Sequence, residues 1–288
     1  MRKLTYTNTN SVSIVISDIL YGTTSITGLG VPGVEIQDKK APFQDGSTHI
    51  DQLFEPREIV VEGTINKDSL IDIYQYRRVM AKAFNPKLGP GTLLYENDNG
   101  SWLLQIVTPI GPEFSNRNAN DGAQKWMTTF YCYDPYFKNP VETELNLAGE
   151  GTVLATNNGD VDCPVEILIV GPITNPKVIN NTTGEYLQII KTLAAGEYVL
   201  FYTGFGNKVV YVNSGEVPAI EFPVMGGGLN EGGEIFSEIL QYNGMQYLVL
   251  TSTFFSLETG VNELELIDAG SNTGMTMNVK YRERFVGV

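Results

Sequence analysis

The chain of 288 residues carries 19 Lys+Arg against 33 Asp+Glu, a net charge of −14 at pH 7, with a pI near 4.5. That balance lacks the basic surface that phosphate neutralisation requires, which excludes specific nucleic-acid binding and disfavours an anionic membrane surface. Hydrophobic residues at 42%, charged residues at only 18% and 30 Gly describe a folded, turn-rich, mainly β chain and exclude disorder.

At roughly 150 residues per domain, the length suggests about two domains. No run approaches the ~18 apolar residues of a membrane span, so no membrane insertion is expected. The stretch from Met1 turns Thr/Asn-rich without the apolar core of a secretion signal. Cys132 and Cys163 read as buried free thiols of a protein made in a reducing cytoplasm.

Charge divides the chain. Residues 1–140 hold 13 Lys+Arg and 15 Asp+Glu, and residues 141–288 hold the other 6 and 18, for net charges of −2 and −12. A boundary near Pro140 follows, giving domains 1–140 and 141–288. In the first, Ser11–Ile16 and Val31–Ile36 alternate as strands do. Glu58–Ile65, directly after Phe54-Glu55-Pro56-Arg57, places Ile59, Val61, Gly63 and Ile65 on one face. A helix is expected from Asp68 or Ser69 to Phe84, with Ser69 and Asp72 resembling a capping box. Its apolar stripe is Leu70, Ile73, Tyr74, Met80, Ala81 and Phe84, and Pro86 with Gly89-Pro90-Gly91 ends it. Thr92–Tyr95 and Trp102–Val107 flank Glu96-Asn97-Asp98-Asn99-Gly100 as a hairpin, and Trp126–Tyr133 forms a further strand.

The second domain reads as short strands between turns: Val165–Val170, Glu185–Ile190, Glu197–Phe201, Lys208–Val212, Ala219–Phe222, Gln246–Thr251, Glu263–Ile267 and Thr276–Tyr281. That pattern predicts a β-sandwich or jelly roll.

Tests for chemistry fail in turn. The only imidazole, His49, follows the polar stretch Gln44–Thr48, which reads as a loop, so no catalytic triad and no zinc set can be assembled. Gly28-Leu29-Gly30-Val31-Pro32-Gly33 matches G-x-G-x-x-G in form, but a strand and turn follow it where a dinucleotide site needs a helix. It reads as a turn. Gly226-Gly227-Gly228 and Gly232-Gly233 lack the Lys-Ser/Thr pair of a phosphate cradle and read as a mobile loop. Asp160/Asp162, Glu142/Glu144 and Glu263/Glu265 are spaced to share a strand face, which describes paired catalytic acids, a Ca²⁺ site and a solvated face equally. Tyr186, Tyr198, Tyr202, Tyr211, Tyr242, Tyr247 and Tyr281 could stack on sugar rings, although residues 141–288 hold no Trp. No catalytic residue, cofactor or metal ligand is assigned.

The order of several short motifs resembles the distal tail (Dit) proteins of long-tailed bacteriophages, the siphophages, and their prophage relatives. The motifs are Phe54-Glu55-Pro56-Arg57-Glu58-Ile59 leading to Glu62-Gly63, Tyr76-Arg77-Arg78, Phe84-Asn85-Pro86, Gly91-Thr92-Leu93-Leu94-Tyr95 and Asp134-Pro135-Tyr136-Phe137. Asn157-Asn158-Gly159, Gly171-Pro172-Ile173, Asn180-Asn181-Thr182-Thr183-Gly184-Glu185 and Gly260-Val261-Asn262-Glu263-Leu264 continue the resemblance to Tyr281. It implies an N-terminal β-sandwich-like domain with one α-helix and a C-terminal galectin-like jelly-roll β-sandwich.

In function, the resemblance implies a structural virion protein rather than an enzyme. Six copies would form a ring at the tail tip or baseplate hub, joining the tail tube to the tip and host-adsorption apparatus. The partners it implies are the tail tube protein, the tape-measure protein, the tail-associated lysin or tail tip protein and, in many relatives, a receptor-binding protein. DNA would pass through the ring without specific binding. The alternative is a carbohydrate- or receptor-binding module of a phage tail.

Six highly acidic halves crowded around one axis would repel one another, so the ring contacts are expected from residues 1–140. The candidate ring or structural residues are Phe54, Pro56, Arg57, Arg77, Arg78, Asp134 and Pro135. The arginines are expected to pair with carboxylates between subunits or between strand and helix, or else to lie solvated at the surface. Asp134 is expected to form a turn before Pro135.

Overall fold

A computed structural model describes residues 2–17, 21–66, 70–115, 123–204, 206, 208–214 and 244–288. The chain forms two compact units, one of Met1–Pro140 with Val286–Val288, the other running from Val141 to Phe285.

The first unit contains β1 (Lys3–Thr7), β2 (Ser13–Ser17), β3 (Thr23–Thr27), β4 (Val34–Lys39), β5 (Thr48–Phe54), β6 (Arg57–Asn66), α1 (Leu70–Ala83), β7 (Gly91–Asn97), β8 (Gly100–Phe114), β9 (Ala123–Cys132) and β10 (Phe137–Lys138). Its main sheet runs β2-β1-β7-β8-β9-β6-β3, antiparallel throughout that path. The alternation read from Glu58–Ile65 holds: Ile59, Val61, Gly63 and Ile65 are buried while Glu58 and Glu62 are exposed. Register sets Ile59 opposite Phe130, Val61 opposite Thr128 and Gly63 opposite Trp126, so one face of β6 and β9 builds a common core.

Helix α1 covers that face with Ile73, Met80, Ala83 and the following Phe84, all buried. Phe84 meets Tyr6 and Phe130 in a three-ring cluster with centroids 5.4–5.7 Å apart. Tyr74 and Ala81, expected in the stripe, are exposed instead. Each lies one residue, about 100° of helical turn, past Ile73 and Met80. Ser69 of the expected capping box lies outside the described residues. The β7–β8 hairpin turns at Asp98-Asn99, where the Asn97 side-chain oxygen accepts from the Asn99 and Gly100 amides at 2.8 and 3.2 Å.

Strands β4 and β5 pair only with each other among the described residues. Their ribbon includes His49, so the loop expected around that residue is corrected to a strand. The polar run Gln44–Thr48 just before His49 carries a turn's composition, and every residue of both strands faces solvent.

The second unit contains β11 (Thr143–Ala148), β12 (Gly151–Asn157), β13 (Cys163–Val170), β14 (Ile173–Thr174), β15 (Lys177–Asn180), β16 (Glu185–Gln188), β17 (Thr192–Leu193), β18 (Glu197–Tyr202), β19 (Val209–Ser214), β20 (Ser256–Leu257), β21 (Gly260–Ile267) and β22 (Thr276–Tyr281). One sheet runs β11-β22-β13-β18-β19 and the other β12-β21-β15-β16. Ile167, Ile169, Phe201 and Val279 of the first share one buried cluster with Val178, Leu187, Leu264 and Leu266 of the second. The unit is therefore a β-sandwich, and the chain as a whole is mainly β with one α-helix among the described residues.

Gln246–Thr251, expected as a strand, instead forms a short 3₁₀ turn over Met245–Tyr247 and a single bridge between Leu248 and Ile189. Ala219–Phe222 and Gly226–Gly233 lie outside the described residues.

Candidate functional site

Two features of the first unit stand apart from its ordinary core. One is a buried arginine and the other is the exposed ribbon that springs from beside it.

Pro56 precedes the first residue of β6, Arg57, whose side chain is only 1% exposed. Burying a guanidinium is costly unless its donors are satisfied. Here they are met by backbone carbonyls from three separate segments. Nε donates to Pro135 O at 2.7 Å, one terminal nitrogen to Gly28 O at 2.7 Å and to Gly30 O, and the other to Val286 O at 2.6 Å. The Phe137 ring lies against the guanidinium carbon, 4.5 Å from its centroid, and supplies a cation–π contact. The carboxylate partner expected for Arg57 is thus replaced by carbonyl oxygens. The reason is geometric: the planar five-donor fork can close several chain turns at once, which a single carboxylate cannot do.

The turn that looked like a dinucleotide fingerprint supplies two of those carbonyls. Gly28 has φ +91°, and a Cβ there would meet Glu58 O at 2.0 Å, so only glycine fits. A phosphate loop aims N–H groups at an anion. Here the carbonyls of Gly28 and Gly30 point at a cation, the reverse polarity.

Asp134-Pro135-Tyr136-Phe137 meets Phe54-Glu55-Pro56-Arg57 at this node. Asp134 accepts from the Tyr136 amide at 3.3 Å, as its expected turn role requires, and bridges Lys138 at 2.8 Å, both side chains being 14% exposed. Lys138 also donates to Gln105 Oε1 at 2.7 Å. Phe54 packs edge-on to Tyr136 with centroids 5.9 Å apart. Arg77 and Arg78 are not among the node's contacts. Arg77 lies over the Phe114 and Tyr74 rings at 4.6 and 5.5 Å, and Arg78 is exposed on α1.

Burial pulls the Arg57 guanidinium below its ordinary value, with neighbouring Cys132 acting in the opposite direction. The group remains a cation in water of any ordinary pH. Burial also pushes the Cys132 thiol up to about 12, with Arg57 lowering it and Asp134 raising it. Cys163 likewise reaches about 12, mainly through burial. Neither thiol is a nucleophile in this state.

The ribbon is amphipathic. Val34 pairs with Phe54 and Ile36 with Gln52, so these four side chains share a face, while the register shifts between Gln37 and Asp38, where Ile50 is the extra residue of β5. Glu35, Gln37, Asp51 and Leu53 share the other. Apart from Phe54, which packs on Tyr136, the ribbon's apolar side chains stand open: Ile36 is 68% and Ile50 49% exposed, and Phe43 between the strands is fully exposed.

Elsewhere the candidates dissolve. Glu263 and Glu265 accept from the Asn181 amide at 3.4 and 3.0 Å on an exposed face. Among the described residues no group of three His, Cys, Asp or Glu side chains could hold a metal ion. Tyr198, Tyr211 and Tyr281 are buried and present no platform for a sugar ring. No helix among the described residues is long and apolar enough to cross a membrane.

Residues 12–132 match the family described as phage tail protein RIFT-related domain. Every residue of that match falls within the first unit, and it takes in Arg57 and the ribbon. Among solved structures, the chain is similar to the Dit protein (gp 19.1) of phage SPP1, described as a paradigm of the hub adsorption apparatus in phages infecting Gram-positive bacteria. The TM-score is 0.67 at 13% identity, over 99% of both chains. It is also similar to a chain of the phage P2 baseplate in its activated conformation, with a TM-score of 0.51 at 12% identity over 100% of both. At these identities the likeness shows the fold alone: a β-rich unit with one helix followed by a β-sandwich. No curated protein matches the chain.

The sequence singled out both halves of the arginine node but not their meeting.

Proposed function

We propose that this chain is a structural component of the distal end of a phage tail, forming a homo-hexameric ring that joins the tail tube to the tail tip and adsorption apparatus. The observation that carries the reading is the ribbon, a two-stranded element within the residues that match the tail-protein family, with Val34 and Ile36 exposed on one face. Two strands alone are marginal in water, and such a face is an interaction surface. The occupant we assign is the next copy of the chain. A heterologous contact of this kind closes into a ring when its rotation permits.

Charge supports the same side of the molecule. The first unit is nearly neutral while the second carries most of the negative charge, so the ring forms through residues 1–140 and the galectin-like residues 141–288 face away from the axis. The protein is a virion component, synthesised in the bacterial cytoplasm, and acts as a scaffold rather than an enzyme. Its further partners in this reading are the tail tube, tape-measure and tail tip or lysin proteins, and a receptor-binding protein.

Light scattering coupled to size exclusion tests the proposal. The expected species has six times the 31.7 kDa chain mass, and Val34→Glu with Ile36→Glu returns it to monomer. A wild-type chain that stays monomeric over a concentration and salt series, while binding cell-wall glycan, contradicts the ring and supports a receptor-binding module.

A further inference from the structure

The ribbon leaves the main sheet at Thr27, the end of β3, and re-enters it at Arg57, the start of β6. Residues 28–33, which form the incoming leg, lie between the last pairing of β3 and the first of β4. That leg contains Gly28, Gly30 and Gly33, whose backbones are the least restricted of any residue type. Left to itself, such a leg lets the ribbon swing. Few contacts oppose this. Glu55 N donates to Gly33 O at 2.8 Å and closes the ribbon's base. Val288 N donates to Leu29 O at 3.1 Å. The other ties among the described residues are the Phe54 ring edge-on to Tyr136 and the Arg57 bonds to Gly28 O and Gly30 O.

The guanidinium itself cannot turn. Nε is fixed on Pro135 O, one terminal nitrogen on Val286 O, and the ring of Phe137 backs its carbon. Its remaining nitrogen therefore presents two N–H groups in a set direction, and the incoming leg is aligned to them. We infer that Arg57 is the positioning residue of the ribbon: the sheet orients its guanidinium plane, and that plane sets the angle at which the ribbon projects toward a second copy of the chain. The inference rests on the ring reading for its purpose but not for its geometry. A lysine cannot substitute, because an ammonium is a point charge with no plane to transmit.

The test measures the ribbon's direction without reference to assembly. Spin labels are placed at Phe43→Cys between the ribbon strands and Asn99→Cys in the β7–β8 turn, both exposed positions. The native thiols are buried and do not compete. Labelled chain is diluted into unlabelled chain so that only distances within one molecule are read. With Arg57 present the distance distribution is narrow, and with Arg57→Lys its width roughly doubles as the glycine leg is released. Folding is followed by the fluorescence of Trp102 and Trp126, both in the first unit. Should Arg57→Lys fail to fold, a Gly-Gly insertion after Gly30 leaves the node intact, separates it from the ribbon, and is expected to widen the distribution equally.

An unchanged width in a folded Arg57→Lys chain, or in the insertion variant, overturns the positioning role. A widened distribution accompanied by loss of the assembled species supports both the role and the ring. A widened distribution in a chain that still assembles supports the role and overturns assembly through the ribbon.

Discussion

Replacing Gly63 with alanine is expected to destabilise the first unit through a single side chain, Trp126. Gly63 sits opposite Trp126 in the β6–β9 register. A Cβ at Gly63 would lie 2.7 Å from three atoms of the indole, roughly 1 Å inside ordinary carbon contact. The indole has little room to retreat. It is 3% exposed, donates from Nε1 to Tyr21 O at 2.8 Å, and meets the Tyr21 ring edge-on at 6.4 Å. Overpacking of this kind costs about 1–3 kcal/mol, and loss of the indole hydrogen bond adds about 1 kcal/mol. Removing a glycine from the unfolded chain returns about 0.4–1 kcal/mol, so the net loss is about 1–4 kcal/mol.

Urea unfolding followed by tryptophan fluorescence reads this directly, because both tryptophans lie in the first unit. The Gly63→Ala midpoint falls, and its penalty shrinks in a Trp126→Phe background, where the smaller ring leaves the methyl room. Strictly additive effects of the two substitutions, or an unchanged midpoint for Gly63→Ala, would refute the packing argument.

Asp268 accepts the amides of Thr174 at 2.7 Å and Gly270 at 3.0 Å, together with the backbone and side-chain amides of Asn272. Burial raises its pKa, but these bonds outweigh burial and hold it below the ordinary carboxylate value. Its stabilisation is therefore complete above the unfolded value of about 3.9 and is lost as pH falls through the lower folded value. Denaturant titrations between about pH 2 and pH 6 should show acid loss in the wild type and less of it in Asp268→Asn. The buried Asn157 amide donates to Val161 O and Leu257 O at 3.0 and 3.1 Å, so Asn157→Ala should cost about 1–3 kcal/mol by urea denaturation. Both thiols are buried, so a disulfide reagent should label neither in the native chain and both after unfolding; rapid native labelling would contradict their inert state.

How much was legible depended on burial. Ile59, Val61, Gly63 and Ile65 were read correctly because one face of β6 is buried and the other holds glutamates, which leaves a clean alternation. The ribbon, with neither face buried, was read less fully. Val31–Ile36 was read as a strand, which runs instead over Val34–Lys39, and His49 was assigned to a loop although it lies in β5. Tyr74 and Ala81 looked like stripe residues by spacing alone, although a partner sheet selects which apolar positions are covered. The arginine node was the hardest feature to read. Its partners are carbonyl oxygens, which every residue possesses, so nothing in the side-chain sequence marks Gly28, Gly30, Pro135 or Val286 as acceptors. A buried arginine next to a proline was visible only as a short motif whose expected partner was an acid.

The ribbon's assignment to a second copy of the chain is tested most directly by photo-crosslinking from within it. A benzoyl-phenylalanine placed at Ile36, on the uncovered apolar face, should give a ladder of covalent species that ends at the hexamer, with attachment sites in residues 1–140 of the neighbouring copy. Crosslinks confined to single chains would contradict the account, as would a ladder that continues without end, the signature of an open filament rather than a closed ring.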